Sequence, residues 1–157
     1  MTREEKFMQE AIDLSETGMR NNEGGPFGCV IVKDDKIIGR GNNQVITTND
    51  PTAHAEIVAI REACDTLNTF LLEGCEVFTS CEPCPMCLAA IYWARADKIY
   101  FANTRKDAAE IGFDDSMIYE EINRDLKDRN IPMINFGREA AQKIFKEWSE
   151  KKDKTIY

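Results

Sequence analysis

The sequence is short of positive charge: 20 Lys and Arg stand against 28 Asp and Glu, for a net charge of −8. Polyanions are held by clustered Lys and Arg, so tRNA or duplex DNA is not expected as the main partner and a small substrate fits better. Long hydrophobic runs are missing too. No window approaches the roughly 20 apolar residues of a membrane span, and the charged start MTREEKFMQE is unlike a signal peptide, so a cytoplasmic protein with no membrane partner is expected. There is no internal repeat, no linker and a single histidine, His54. Six cysteines are present without a secretion signal, and three of them crowd at 81, 84 and 87, which reads as metal ligation rather than disulfide pairing. With 157 residues and 43% apolar content, the chain is read as one domain, 1–157, able to bury a sizeable core.

The order of elements points to an α/β fold. Phe7, Ala11, Leu14 and Gly18 recur every three or four residues, which predicts an amphipathic helix over 3–20, stopped by NNEGG. Cys29–Val32 and Ile37–Ile38 flank the polar KDDK and predict a β-hairpin. Asp50 as cap and Pro51 at the first helical position predict a helix with His54 in its first turn and Ile57, Ile60, Cys64 and Leu67 as its buried stripe. Glu76–Thr79 reads as a strand. Pro85 opens a helix, PMCLAAIYWAR, apolar almost all round and expected to be buried. A strand at Lys98–Ala102, helical segments over 107–123 broken near Gly112, a last strand at Ile131–Phe136 and a helix over Arg138–Lys151 complete the reading. It describes a mixed sheet with an antiparallel edge pair, parallel strands beyond it and helices on both faces. The tail KKDKTIY has no apolar period and needs an anchor.

His54 stands in Thr-Ala-His-Ala-Glu, and Cys84 and Cys87 follow about 30 residues later as Pro-Cys-Pro-Met-Cys. Nitrogen with two thiolates suits Zn2+ in a tetrahedral site, and two cysteines three apart at a helix start reach one point. Two helix N-termini directed at the ion favour thiolate over thiol. Three protein ligands leave a fourth position for water or hydroxide, and Glu56 can then move that water's proton. The rival is a closed structural site that adds Cys81. The open site is favoured because Cys81 precedes the helix with Pro83 between, and because a closed site leaves Glu56 in a poorly solvated pocket without a partner. Cys29, Cys64 and Cys75 read as small apolar core residues.

The pairing of H-x-E with P-C-x-x-C is the signature of zinc nucleobase deaminases. On it the sequence resembles the cytidine deaminase superfamily and, within that, the small bacterial guanine deaminases. The closer resemblance lies in Gly24–Gly28 (GGPFG), Asn42-Asn43, NDPTAHAE over 49–56, SCEPCPMC over 80–87, AIYWAR over 90–95, GFDDS over 112–116 and the terminal Tyr157. It implies a three-layer α/β/α sandwich with a central mixed five-stranded sheet, one Zn2+ per chain, and hydrolysis of guanine to xanthine and ammonia. It further implies that Glu56 shuttles protons, that Asp115 assists at the amine, and that Asn43, Phe27, Trp93, Ala55 and Tyr157 form the base pocket. A homodimer exchanging a C-terminal segment of about 137–157, with Tyr157 over the partner's site, is also implied. The alternatives are a deaminase of cytosine, guanosine, ammeline or tRNA adenosine, and a structural zinc module.

Overall fold

Thr2 starts the first helix, α1 (Arg3–Arg20), through a capping box: its Oγ1 accepts from the Glu5 N–H at 3.2 Å, while Glu5 Oε2 accepts from the Thr2 N–H at 2.7 Å. The computed structural model describes all 157 residues, Met1–Tyr157, in two compact units, Met1–Ser116 and Met117–Tyr157. In the first unit β1 (Gly28–Lys33) and β2 (Lys36–Asn42) form the hairpin, closed by Asp34 and Asp35 with φ of 49° and 61°. A two-residue hairpin turn of this type needs positive φ at both positions, and Asp tolerates it. β3 (Glu76–Cys81) lies antiparallel to β1, and β4 (Lys98–Asn103) parallel to β3, in the order β2-β1-β3-β4.

Each face of this mixed sheet is covered by helix. On one, α1 brings Phe7, Met8 and Leu14 against Val30, Val32 and Phe78, and Phe78 also stacks on Tyr100 with centroids 4.5 Å apart. On the other, α3 (Ala55–Leu67) and α4 (Pro85–Ala94) pack on Cys29, Ile31 and Val77. Each fully buried Val, Ile or Phe contributes roughly 1.5–3 kcal/mol to this core. A short helix, α2 (Val45–Thr48), precedes α3.

Four details differ from the sequence reading. The sheet has four strands rather than five, because Ile131–Phe136 is not a strand: Pro132 lacks a ladder donor, and the apolar Ile131, Ile134 and Phe136 are exposed. Asp50-Pro51 does not open a helix. Asp50 Oδ1 accepts from the N–H and hydroxyl of Thr52 at 2.8 and 2.6 Å, forming a tight turn, and α3 begins four residues later with His54 as its N-cap. The deepest stripe of α3 is Ala55, Glu56, Ala59 and Ala63, with Ile60, Cys64 and Leu67 only partly buried. Gly39 and Gly41 of β2 explain this, since a methyl at either would run into the backbone carbonyl of Ala59 or Ala55. Finally, α4 buries Cys87, Ile91 and Ala94 but leaves Tyr92 and Trp93 exposed, so it is covered on one side only.

Beyond β4, Thr104 caps α5 (Arg105–Glu110) in a second capping box with Asp107, and Gly112 at φ +99° turns the chain toward Ser116. The remaining unit holds most of α6 (Ser116–Asn123), a 3-10 turn at Leu126–Asp128 and α7 (Arg138–Glu150). Within it the Asn130 N–H donates to Glu121 Oε2 at 2.9 Å. The Lys154 ammonium donates to the carbonyls of Trp148 and Ser149 at 3.2 and 2.6 Å, so the tail caps the helix end where a cation is favoured.

Candidate metal centre

Two helix starts meet at the carboxyl end of β3. His54 is the N-cap of α3 and Cys84 the N-cap of α4, and neither side chain caps its own helix. Both are directed elsewhere. His54 Nδ1 lies 3.5 Å from Cys84 Sγ and 3.5 Å from Cys87 Sγ, and all three donor atoms fall within 4.8 Å of one another. A tetrahedral Zn2+ with its usual bond lengths to imidazole nitrogen and thiolate sulfur would set each N···S separation at about 3.5 Å. The donor set and its spacing therefore fit zinc.

The three donors are electrostatically coupled. Cys84 is held down to about 4, chiefly by the hydrogen bond from the Cys87 thiol and further by His54. Cys87 is correspondingly pushed up, and the Cys84 contact raises His54. Cys81 stands apart. It is buried, its Sγ lies 3.7 Å from the Thr104 carbonyl oxygen, and burial pushes its thiol up to about 11, so it is neutral near pH 7 and outside the donor cluster.

Glu56, in the first turn of α3, is 7% exposed. Burial raises its pKa, and the Thr79 hydroxyl lies 3.3 Å from its Oε1. A buried carboxyl whose pKa has moved toward neutrality is suited to taking and returning protons.

The other residues singled out in the sequence have the following places. Asn43 is buried, its backbone N–H donates to the Phe27 carbonyl at 3.0 Å, and its Oδ1 accepts from the Val45 N–H at 3.1 Å. That bond places the amide oxygen toward the backbone. Gly24 lies so close to Asn43 that a methyl there would meet its Oδ1. The Phe27 ring meets Phe113 edge to face, with centroids 4.9 Å apart at 89°. Phe113 carries the loop that ends in Asp114 and Asp115. Asp114 accepts from the Ser116 N–H at 2.9 Å, whereas Asp115 is partly buried and its pKa is raised by that burial and by the charge of Cys84. Ala55 is fully buried against Gly41. Trp93, toward the end of α4, is 67% exposed, and Tyr157 belongs to the second unit.

The sequence reading did not single out Thr79 or Phe113. A hydroxyl in the middle of an apolar strand, Val-Phe-Thr-Ser, was the available signal for Thr79; Phe113 had none beyond its place in GFDDS.

Residues 1–103 match the family described as the cytidine and deoxycytidylate deaminase zinc-binding region. The chain is 48% identical over 153 residues to guanine deaminase of Bacillus subtilis, covering 98% of both, and the X-ray structure of that enzyme superposes with a TM-score of 0.95. A tRNA-specific adenosine deaminase of Aquifex aeolicus is 43% identical over 98 residues, 62% of this chain and 64% of that one. A guanine deaminase structure from Nitrosomonas europaea superposes with a TM-score of 0.66 at 29% identity, over 92% of this chain and 84% of that one.

Proposed function

The chain belongs to the cytidine and deoxycytidylate deaminase family, and from that premise we propose that it is a zinc-dependent guanine deaminase, converting guanine and water to xanthine and ammonia. The observation that carries the choice of substrate is similarity along nearly the whole chain to the Bacillus guanine deaminase, through the GFDDS loop and the C-terminal unit. The tRNA-specific relative matches only about three fifths of this chain, and a net charge of −8 gives a polyanion little to bind.

His54, Cys84 and Cys87 hold the zinc. When bound there, zinc supplies Lewis acidity that makes a water nucleophilic near neutral pH. Glu56 takes one proton from the water as its oxygen bonds to the purine carbon bearing the amine and passes it to the neighbouring ring nitrogen; it then moves the remaining proton of the new hydroxyl to the amine, which leaves as ammonia as the C–N bond breaks and the carbonyl forms. Asp115 assists at the amine, Asn43 donates to the base edge from its NH2 end, and Phe27, Ala55 and Trp93 bound the pocket. Burial around Glu56 and Ala55 limits bulk water at the reacting carbon.

The working form is proposed to be a homodimer that exchanges the segment of about 137–157, with Tyr157 closing the partner's site. Support comes from α7, where Ile144, Phe145 and Trp148 leave an exposed apolar face of the kind a partner copy covers. Six unpaired cysteines, two of them zinc ligands, agree with a reducing cytoplasm. The test is ammonia release from the purified zinc-loaded protein given guanine, guanosine, cytosine, ammeline or tRNA in parallel. Turnover of guanine is expected; turnover of cytosine with none of guanine would overturn the assignment.

A further inference from the structure

We propose that Thr79, on the strand beneath the centre, is the positioning residue that holds the carboxyl of Glu56 for proton transfer, an inference that rests on the reading of Glu56 as the proton carrier. Side chains along β3 alternate. Val77 packs with α3 and α4, Phe78 packs with α1, and Thr79 returns to the α3 side opposite Cys29. At that place Thr79 is 1% exposed beside an apolar cluster of Cys, Ile, Leu, Val and Ala. A hydroxyl so deep is costly unless it is hydrogen-bonded, and valine would fill the same volume.

Its Oγ1 has two acceptors, Glu56 Oε1 at 3.3 Å and the Cys81 carbonyl oxygen at 3.1 Å. A hydroxyl owns one proton and two lone pairs. It can donate to Glu56 while that group is a carboxylate. It can equally donate to the Cys81 carbonyl and accept from Glu56 once the carboxyl carries a proton. One side chain thus holds the carboxyl in both states that a proton carrier must visit, without moving the backbone. The Glu56 backbone N–H and the Cys87 thiol, a metal ligand, also reach this carboxyl. Thr79 is the side-chain anchor whose place does not depend on the ion.

The experiment compares wild type, Thr79→Val, Thr79→Ser and Thr79→Ala for zinc per chain, kcat and KM on guanine, and the position of Glu56 in crystals of the zinc-loaded variants. Thr79→Val is expected to keep one zinc and an unchanged KM while kcat falls about ten- to hundredfold, as for a misplaced catalytic group, and its Glu56 carboxyl is expected to be displaced. Thr79→Ser restores the hydroxyl and is expected to stay within about threefold of wild type. A kcat unchanged in Thr79→Val, or a Thr79→Ser as impaired as Thr79→Val, overturns the inference. Should Thr79→Val not fold, Thr79→Ala against Thr79→Ser decides in the same way. Absence of guanine turnover in wild type would instead sink the parent reading. In that event an undisplaced Glu56 in the crystals of Thr79→Val still overturns this one.

Discussion

Cys81, Cys84 and Cys87 share one eight-residue run, yet their side chains have different tasks. Cys84 and Cys87 straddle a helix start and lie 3.5 Å from the same imidazole nitrogen, while Cys81 ends a strand with its thiol near the Thr104 carbonyl. Cys81→Ala is accordingly expected to keep one zinc per chain and most of the activity, and Cys84→Ala or Cys87→Ala to lose the metal, as read by metal analysis of the dialysed proteins. Loss of zinc from Cys81→Ala would restore the closed structural site. The same scale separates the adjacent aspartates. Asp114 is engaged by the Ser116 N–H, whereas Asp115 is partly buried and feels the charge of Cys84, so Asp115→Asn is expected to lower turnover of guanine more than Asp114→Asn does. Equal effects from the two variants would contradict that placement.

Between elements, the site depends on how closely α3 lies on the hairpin. Gly41 permits that approach, because a methyl there would meet the Ala55 carbonyl oxygen and the Ala59 N–H, both backbone atoms that cannot rotate away. Gly41→Ala is expected to cost about 1–3 kcal/mol or more, by overpacking, and to weaken zinc retention by shifting His54 and Glu56 with the helix. Thermal melting with and without chelator measures both; an unchanged melting temperature and zinc content would count against the account. The same contact explains what was legible in the sequence. The 3.6-residue period over 3–20, the hairpin at KDDK and the H-x-E and C-x-x-C spacings were readable because each is a local property. The start of α3 was misread because Asp-Pro signals both a helix cap and a tight turn, and only the tertiary position of His54 resolves which. Its buried stripe was misread because alanine is chosen by the glycines of β2, far away in sequence. The packing of Phe113 was not readable from its place in GFDDS, since its partner Phe27 lies 86 residues earlier and the contact is purely spatial.

At the scale of the whole molecule, net charge and exposed apolar surface set what the protein can meet. A charge of −8 favours a small neutral base over a polyanion, and the exposed Ile144, Phe145 and Trp148 of α7 call for a cover. Light scattering on the eluting protein is expected to give twice the 17.9 kDa chain mass. Charged substitutions at Ile144 and Phe145 should shift that mass to one chain, and a dimer untouched by them would place the interface elsewhere. The central claim, that one bound zinc and the carboxyl of Glu56 together deaminate guanine, is tested most directly by ammonia release from guanine, with zinc content measured on the same samples of wild type and Glu56→Gln. The account predicts one zinc per chain in both, steady turnover by wild type, and a rate about 10²- to 10⁴-fold lower in Glu56→Gln. Equal rates in the two zinc-loaded proteins, or zinc-loaded wild type that leaves guanine intact, would contradict it.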